Sequence, residues 1–510
     1  MTKNIGINNK IITLSIVILI CSISITHAAQ PTITPVGSGT MLIGDARILV
    51  ASGGTAPYTW SIRTVSGAPG LLSTYTGTSI AFLATIDPGT CSIIVTDNTG
   101  AANTTQNLVV IPAPVPIKSY WIWGSTVSSR SVATTVITTS STHQVRDVFV
   151  LVKGTSGSIS FTALDWLTSI AKGLNTNVRI HPWVICFNDQ ASGLSGNYTT
   201  YGTYTSWIKP TDPRYRQYLM DTVFIPLLRD HPDIAGIHLD YYRYSGVSSV
   251  GGLAASNDTG VSLVRFCQEI ATTIRKYNAA LPVSIAVMPE YPDNNNEYYY
   301  GQSYYKLSTA GCRILCPMSY STTDATYSGK VAGYLRNTVA RTCSVYAGQE
   351  TGASASLVAS ETRYAINTGA QGVVAFRWPI PTEHWTAWDT VGTTLPITFS
   401  PSTAISIPVG SSIIFSANGG WKPFARWTTN NWSIGSVAAF FGDDSVRFYA
   451  RSTGTCVITV KDSAPGPRQS NSATITVTPG VPVELSGFEL TYRREHGLLE
   501  YIIDDINQVL

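Results

Sequence analysis

The pattern of hydrophobic and polar positions divides the chain into three stretches with different periods. Residues 30–113 and 396–480 contain short runs in which apolar and polar residues alternate, separated by Gly, Pro, Asn and Asp. Such alternation is typical of antiparallel strands with one buried face. Residues 118–390 instead contain continuous apolar runs separated by helical spacing, which is typical of parallel strands buried on both faces. The pattern therefore predicts an all-β unit on each side of a central α/β domain.

The central stretch contains eight continuous apolar runs, which predict eight strands. They are Trp121–Trp123, Val148–Val152, Ile180–Phe187, Ile234–Asp240, Val283–Met288, Arg313–Pro317, Val345–Gly348 and Gly372–Arg377. Between the strands, apolar residues recur at helical spacing, for example at Leu263, Phe266, Ile270 and Ile274. Eight strands alternating with helices over roughly 275 residues have the size and rhythm of one (β/α)8 barrel. We therefore predict a multidomain chain with a TIM barrel at residues 118–390.

The two flanking units contain the same motifs in the same order. Residues 89–97 read G-T-C-S-I-I-V-T-D, and residues 454–462 read G-T-C-V-I-T-V-K-D. Upstream, A-S-G-G at 51–54 corresponds to A-N-G-G at 417–420, and each is followed by a tryptophan, Trp60 or Trp427. This order of motifs resembles bacterial Ig-like domains. The resemblance implies a β-sandwich at 30–113 and another at 396–480.

The first 28 residues have the organisation of a secretory signal peptide. Two lysines precede or adjoin the apolar segment Ile11–Ile23, and Ala28 supplies a small residue at the expected cleavage point. Ile20 precedes Cys21, where a lipoprotein signal needs a small residue, which argues against a lipid anchor. No later run is long and apolar enough for a transmembrane helix. These features predict a secreted or cell-surface protein with a signal peptide at residues 1–28.

Composition excludes one class of partner. Only 12% of the 510 residues are charged and the formal net charge is +3, whereas a globular protein averages ~25% charged residues. Without clustered Lys and Arg, the chain lacks the footprint of a nucleic-acid-binding protein.

Seven of the eight cysteines follow the signal segment, an odd and sparse set that predicts no disulfide scaffold. Cys312 and Cys316 lie in an apolar run without a nearby His, so we expect buried small side chains rather than zinc ligands.

Residues 481–510 match neither type of domain. They begin with P-V-E-L at 482–485 and end in an amphipathic stretch, Leu498–Leu510, whose spacing suits a helix. A sorting segment and an incomplete further domain both remain open for this tail.

The segment A-G-I-H-L-D-Y-Y-R-Y at 235–244 is the most informative candidate for chemistry. Its apolar strand ends in Asp240, with His238 two residues earlier and Arg243 three residues later. In a barrel, side chains at the carboxyl ends of strands form the active site, and residues 238 and 240 lie on the same side of a strand. Polar groups at the end of a buried strand cost free energy unless they have a role. We expect Asp240 to be catalytic; the alternative is a structural Asp240 paired with Arg243.

This segment resembles the fourth-strand motif of the glycoside-hydrolase-like barrels, G-[IL]-H-[FL]-D-[DY]-x-x-Y-P. V-Y-A-G-Q at 345–349 resembles the seventh strand of that family, and G-V-V-A-F at 372–376 resembles the eighth. The resemblance covers residues 118–390 and implies a (β/α)8 fold that hydrolyses glycosidic bonds in a polysaccharide. Ser245 departs from the pattern, which has proline there, so the loop after Asp240 differs from the family.

Glycoside hydrolysis by the common route needs two carboxyl groups that flank the scissile bond. With Asp240 as the first, two residues are candidates for the second. Glu290, just beyond the fifth strand, is similar in position to the acid of the amylase-type clan, with Asp240 as nucleophile. Glu350, after the seventh strand, is similar to the nucleophile of the other large barrel clan, with Asp240 as acid. The sequence does not choose between these pairs, and we prefer Glu290.

Aromatic and amide side chains at strand ends are candidates for sugar binding, together with His238 and Arg243. They are Trp123, Trp183, Asn188, Tyr242, Tyr320 and Trp378. Each aromatic residue taken alone is also typical of a packed core. Their shared position at strand ends is what favours a cleft.

We therefore expect a secreted glycoside hydrolase that acts as a monomer on a polysaccharide or cell-wall glycan, without a cofactor or metal ion. In the alternative, the barrel binds glycan at the cell surface without cutting it. A third hypothesis is an adhesin whose Ig-like domains bind and whose barrel is a scaffold. A second carboxyl group within ~10 Å of Asp240 would separate the enzyme from the binding protein.

Overall fold

The computed structural model describes residues 30–35, 39–105, 107–111, 116–191, 198–201, 204–246, 257–390, 397–402, 404–420, 424, 426–438, 445–462, 470–480, 492–495 and 498–501. Within them, a closed eight-stranded barrel lies between two pairs of mostly antiparallel sheets. The predicted signal peptide, residues 1–28, falls outside these ranges. Among the helices in these ranges, none is both long and apolar enough to cross a bilayer.

The first pair of sheets precedes the barrel. Its described strands are β1 (Thr32–Thr34), β2 (Gly39–Leu42), β3 (Ala46–Ser52), β4 (Thr59–Ser66), β5 (Gly70–Leu72), β6 (Ser79–Ala84), β7 (Gly89–Thr96), β8 (Ala102–Thr104) and β9 (Leu108–Ile111). One sheet has the order β1-β3-β6-β5, and the other has β2-β9-β7-β4 with β8 on β7. Phe82 of the first sheet and Ile93 of the second are fully buried in one shared core. The alternating apolar positions therefore face the opposite sheet.

The barrel strands follow in chain order, with one hairpin between the third and the fourth. They are β10 (Ile117–Ile122), β11 (Val145–Lys153), β12 (Arg179–Ile185), the hairpin β13 (Thr200–Tyr201) and β14 (Tyr204–Ile208), β15 (Ile237–Asp240), β16 (Val283–Val287), β17 (Cys312–Pro317), β18 (Ser344–Glu350) and β19 (Gly372–Phe376). The eight barrel strands pair in parallel, and β10 closes the ring on β19. Each predicted strand overlaps an observed one, so the TIM-barrel prediction is confirmed.

Helices cover the outside of the barrel. They are α1 (Arg130–Thr142), α2 (Thr162–Gly173), α3 (Pro213–Leu219), α4 (Ile225–Asp230), α5 (Val261–Tyr277), α6 (Asp293–Tyr300), α7 (Tyr304–Thr309), α8 (Tyr327–Thr338), α9 (Ala355–Asn367) and α10 (Thr382–Thr390). A π-helical turn, Met220–Phe224, joins α3 to α4. In α5, the predicted stripe of Leu263, Phe266, Ile270 and Ile274 is buried. This is the face that an amphipathic helix packs on a sheet.

The first barrel strand begins at Ile117 rather than at the predicted Trp121. The hydrophobic pattern missed this start because the added segment contains two buried polar residues. Lys118 pairs with Asp389 of α10, and Ser119 Oγ donates a hydrogen bond to the backbone oxygen of Val373 at 2.6 Å. Both partners lie far away in the sequence. A local hydrophobic pattern therefore does not reveal that the strand extends through them.

The turn between β2 and β3 closes the amino end of the barrel. Leu42 packs against the side chains of the barrel interior. The Asp45 carboxylate pairs with Arg146 and with Arg179, whose Nη1 lies 3.3 Å from Oδ1. Arg313 donates to the backbone oxygen of Asp45 at 3.1 Å. The first pair of sheets is thus fixed to the end opposite the carboxyl ends of the strands.

The second pair of sheets repeats the architecture of the first. Its described strands are β20 (Thr398–Ser400), β21 (Ile405–Pro408), β22 (Ser412–Asn418), β23 (Arg426–Thr429), β24 (Gly435–Ala438), β25 (Ser445–Ala450), β26 (Gly454–Lys461) and β27 (Ser470–Thr478). The orders β20-β22-β25-β24 and β21-β27-β26-β23 match those of the first pair, except that β8 has no counterpart among the described strands. Cys91 of β7 and Cys456 of β26 are both fully buried. The internal repeat is therefore confirmed in the fold.

The tail contains a short hairpin. Its strands, β28 (Tyr492–Glu495) and β29 (Leu498–Tyr501), pair antiparallel. The helix expected for Leu498–Leu510 is therefore wrong at its start, because a stretch of apolar residues this short suits either element. Residues 502–510 lie outside the described ranges.

Candidate active site

A cleft of about 550 Å³ opens at the carboxyl end of the barrel. Its wall is mainly aromatic and apolar, and Asp240 is the one carboxylate among its described lining residues. The lining consists of Trp121, Trp123, Leu151, Gly154, Thr155, Ser156, Trp183, Ile185, Asp240, Tyr241, Ala286, Met318, Tyr320 and Phe376. A concave, largely apolar site with a few polar groups is the usual form of a small-molecule or substrate pocket.

Asp240 is the last residue of β15 and is 7% exposed. Its Oδ2 accepts a hydrogen bond from Trp183 Nε1 at 3.2 Å, and its Oδ1 accepts one from the backbone N–H of Tyr241 at 2.6 Å. Burial raises the pKa of Asp240, while the Tyr241 N–H, the charge of Arg243 and the indole N–H lower it. Burial prevails in this balance, so the pKa of the carboxyl group lies above its ordinary value.

Tyr241 turns the chain sharply at the end of the strand. Its φ angle is +45°, in the left-handed region that a non-glycine residue seldom adopts. The turn directs the Tyr241 ring into the cleft wall, where its centroid lies 5.6 Å from that of Trp207. Such backbone strain is frequent at functional sites, where the surrounding structure holds it in place.

Arg243 lies among three aromatic rings beside the cleft. Its guanidinium carbon is 4.8 Å from the ring centroid of Trp207, 5.2 Å from that of Tyr241 and 5.4 Å from that of Tyr300. Burial lowers the pKa of Arg243, and the nearby charges of Asp240 and Glu290 act in the opposite direction. Arg243 therefore interacts electrostatically with both carboxylates of the preferred pair.

Glu290 follows β16 and is half-buried. Its Oε1 accepts a hydrogen bond from the Tyr300 hydroxyl at 3.0 Å. Its Oε2 is buried and has no hydrogen-bond partner among the described residues. A buried carboxylate oxygen without a partner costs free energy. Glu290 is not among the lining residues of the cleft.

Glu350 is the last residue of β18 and is also half-buried. Its Oε1 accepts a hydrogen bond from the backbone N–H of Gly352 at 3.2 Å. The pKa of Tyr320 is raised by burial and by the charges of Asp240 and Glu350. Glu350 thus lies within electrostatic reach of one cleft residue without lining the cleft itself.

His238 lies beneath the cleft rather than on its surface. It is fully buried, its Nε2 accepts a hydrogen bond from Trp121 Nε1 at 2.9 Å, and its Nδ1 is 2.9 Å from Ser284 Oγ. Burial holds the pKa of His238 well below its ordinary value, so the ring is neutral. The expected contact between His238 and substrate does not fit this position, because protein partners occupy both ring nitrogens. His238 orients Trp121 instead.

Tyr242 was expected in the cleft and lies in the core. Its ring stacks on Phe266 of α5 with centroids 6.0 Å apart, and its hydroxyl donates to the backbone oxygen of Leu263 at 2.6 Å. The left-handed turn at Tyr241 breaks the alternation of the strand and sends the next side chain into the helix layer. Direct substrate binding by Tyr242 is therefore incompatible with the structure.

The remaining sequence candidates divide into two groups. Trp123, Trp183 and Tyr320 line the cleft. Asn188 is half-buried and pairs with Trp207 through a backbone bridge outside the lining, and Trp378 packs on Tyr120 and Trp385 of the outer layer. These two residues are not brought into the cleft.

Sequence reasoning missed several cleft residues, namely Trp121, Leu151, Thr155, Ser156, Tyr241, Ala286, Met318 and Phe376. Alternation along β10 would have placed Trp121 on the same side as Trp123, and it is the signal that was available. Tyr241 carried no such signal, because only its unusual φ angle turns its ring into the wall.

A buried ion pair supports the cleft rim next to Thr155. Lys153 and Asp189 are fully buried, with 2.7 Å between Nζ and Oδ2. The Tyr215 hydroxyl donates to the same Oδ2 at 2.7 Å, and the backbone N–H of Ala191 donates to Oδ1 at 3.0 Å. A buried pair of this kind is tolerated only when both partners are well hydrogen-bonded. The network holds the loops after β11 and β12 together.

Within the described residues, no group of three or more His, Cys, Asp or Glu side chains comes together to hold a metal ion. The seven cysteines after the predicted signal segment are buried and unpaired. Burial raises the thiol pKa of Cys312 and Cys316 well above the ordinary value. Both are small core side chains, as expected.

No protein-family model matches the chain, and no curated protein matches its sequence. Several solved structures align with part of the chain. The endo-β-1,4-mannanase of Thermotoga petrophila aligns with a TM-score of 0.40 at 11% identity, covering 72% of this chain and 99% of the mannanase. A cell-surface-expressed chitinase of Paenibacillus aligns with a TM-score of 0.39 at 12% identity, covering 71% and 56%. A β-galactosidase of Rahnella aligns with a TM-score of 0.41 at 13% identity, covering 58% and 59%. All three are glycoside hydrolases, but similarity this low does not identify the function of this chain.

Proposed function

We propose that the protein is a glycoside hydrolase that cleaves glycosidic bonds in a polysaccharide, with Asp240 as its central carboxyl group. The observation that carries this proposal is the position of Asp240, a buried carboxylate in an aromatic-lined cleft at the carboxyl end of the barrel. A carboxyl group whose pKa is raised by burial beside a cationic side chain is typical of functional sites. The aromatic walls suit the apolar faces of sugar rings.

Glu290 is our choice for the second carboxyl group. The charges of Asp240 and Glu290 both act to raise the pKa of Arg243, so this cation lies within electrostatic range of both carboxyl groups. Glu290 Oε2 is buried and has no partner among the described residues, a costly arrangement that a hydrogen bond to a bound substrate would relieve. Glu350 is the rival, and with it Asp240 would serve as the acid. In either pairing the protein itself supplies the acid–base groups, so the reaction needs no cofactor.

The proposed setting is outside the cell. Residues 1–28 would direct export, and Ig-like domains at 30–113 and 396–480 would hold the barrel at a cell wall or glycan. The barrel would occupy residues 118–390 and act as a monomer. No role is proposed for residues 481–510.

A second candidate function is glycan binding without cleavage. One observation favours it: Asp240 is the one carboxylate among the described lining residues, and both glutamates lie outside that lining. An inverting pair extends to carboxyl groups about 9.5 Å apart. If neither glutamate reaches the bound sugar, the cleft binds and does not cut.

Reducing-end release from a panel of wall and plant polysaccharides tests the proposal. The wild-type chain is compared with Asp240→Asn, Glu290→Gln and Glu350→Gln, and with Asp221→Asn as a control on an exposed helical surface. We expect release by the wild type and the control, and its loss in Asp240→Asn and Glu290→Gln. Loss in Glu350→Gln instead of Glu290→Gln would move the second role to Glu350. Retention of a glycan without release by the wild type would make the protein a binding protein.

A further inference from the structure

Arg377 lies at the rim of the cleft, directly after β19, and its guanidinium contacts an aromatic face. The Arg377 guanidinium carbon is 3.4 Å from the ring centroid of Trp123 and 5.9 Å from that of Phe376. A separation of 3.4 Å is van der Waals contact, so the cation lies over the indole ring. Both aromatic residues line the cleft, and Trp123 is 39% exposed.

The backbone around Arg377 is held from both sides. The Arg377 N–H donates to Thr351 Oγ1 at 3.3 Å, and the Thr351 N–H donates to the backbone oxygen of Phe376 at 3.2 Å. On the other side, the Trp378 N–H donates to the backbone oxygen of Trp121 at 2.9 Å. Fixed backbone and ring stacking together restrict the side chain before any ligand arrives. Less conformational entropy is then lost on binding.

The hydrogen-bond donors of this guanidinium are unused within the described part of the chain. Arg377 has no ion pair and no side-chain hydrogen bond there. Three other arginines of the barrel, Arg146, Arg179 and Arg341, are each paired with an aspartate. Glu350 ends the strand next to β19. Its Oε1 accepts a hydrogen bond from the Gly352 N–H and not from Arg377. Stacking leaves the in-plane N–H groups of an arginine free for a planar acceptor.

We propose that Arg377 and Trp123 form a subsite for an anionic group on the glycan, so that the substrate is an acidic polysaccharide. The Trp123 face and the cation above it define the site, and the free N–H fork binds a carboxylate of a uronic acid or a sulfate or phosphate ester. This inference rests on the proposed glycan cleft and specifies its substrate class. Asp240 is the one carboxylate in the described lining, and Glu350 on the neighbouring strand lies outside it.

Calorimetric binding to the full chain carrying Asp240→Asn tests the subsite without turnover. The probes are polygalacturonate for carboxylates, dextran sulfate for sulfate esters, phosphorylated mannan for phosphate esters, and unmodified mannan as a neutral polymer. We expect at least one acidic polymer to bind more tightly than the neutral one, with an affinity that falls as salt is added. Adding Arg377→Gln should weaken acidic binding roughly tenfold or more, the effect of losing a charge-assisted hydrogen bond. Arg377→Lys should restore only part of it, because lysine keeps the charge and loses the fork.

Arg265→Gln is the matched control, since it removes the same charge from an exposed position on α5. It should leave acidic binding unchanged, and the acidic probe that binds identifies the anionic group. Equal affinity for acidic and neutral polymers, unchanged by Arg377→Gln, would overturn the subsite and leave the glycan cleft standing. Absence of binding to every polymer would overturn the subsite together with the proposed function.

Discussion

Glu361 in the middle of α9 provides a quantitative test of the described packing. Its side chain is fully buried, and neither carboxylate oxygen has a hydrogen-bond partner in the described structure. Burial, helped by the charge of Asp324, raises the pKa of Glu361 from 4.5 to about 8. The group is therefore protonated in the folded protein at neutral pH and ionised in the unfolded chain.

The cost of keeping Glu361 protonated follows from proton linkage. Each pKa unit between the unfolded value and the ambient pH costs 1.36 kcal/mol, so the penalty at pH 7 is about 3 kcal/mol. Any folded pKa above 7 gives nearly the same figure, because the unfolded value sets the penalty there. The sign is fixed: the folded state binds the extra proton, so stability falls as pH rises from 4.5 to 8 and is level on either side.

Glu361→Gln isolates this contribution, since the amide keeps the size and polarity of the protonated acid. Urea unfolding of the wild type and the variant, followed by tryptophan fluorescence at pH 5 and pH 8, gives two stability differences. We expect the variant to gain about 3 kcal/mol relative to the wild type between these two pH values. Glu383→Gln, an exposed position at the start of α10, should show no such gain. Parallel pH dependence of wild type and Glu361→Gln would refute the buried, unpaired Glu361.

Three further predictions concern the barrel and its cleft. Asp45→Ala removes the acceptor of two arginines at the amino end of the barrel. The free energy of unfolding should fall by about 2 kcal/mol, which calorimetry would detect as a lower melting temperature. An unchanged melting temperature would mean that the first pair of sheets does not stabilise the barrel. Trp183→Phe removes the indole N–H from Asp240, so the pH–rate limb that belongs to this carboxyl should move to higher pH, and a limb that moves down would contradict the assignment. Tyr242→Phe should cost about 1 kcal/mol of stability and leave KM unchanged, whereas a raised KM would place Tyr242 in the cleft after all.

The barrel was predictable from the sequence because parallel strands that are buried on both faces consist of consecutive apolar residues. β10 shows the limit of this signal: the buried Lys118 ammonium is paired with Asp389 of α10 and donates to the backbone oxygen of His143. No local pattern contains a partner that distant. The repeat of Cys91 and Cys456 carried over into equivalent strands, because the motif around each cysteine is a complete strand with its flanking turns.

The candidate site was predictable in part. Asp240 stood out because a carboxylate ends an apolar strand, and Trp183 and Tyr320 follow the same logic of strand ends. Tyr242 was misplaced because the chain leaves the strand through a left-handed turn at Tyr241, which alternation does not foresee. Arg377 carried no sequence signal, since its role depends on a ring that belongs to a distant strand.

Catalysis by Asp240 is tested most directly by reducing-end release from a polysaccharide that the cleft binds, with the wild type and Asp240→Asn side by side. Both chains should bind the polymer and melt at similar temperatures. We expect release by the wild type and a loss of at least about 100-fold in Asp240→Asn, since removing a catalytic carboxyl group typically costs this much or more. Equal release by both chains, or binding without release by the wild type, would contradict it.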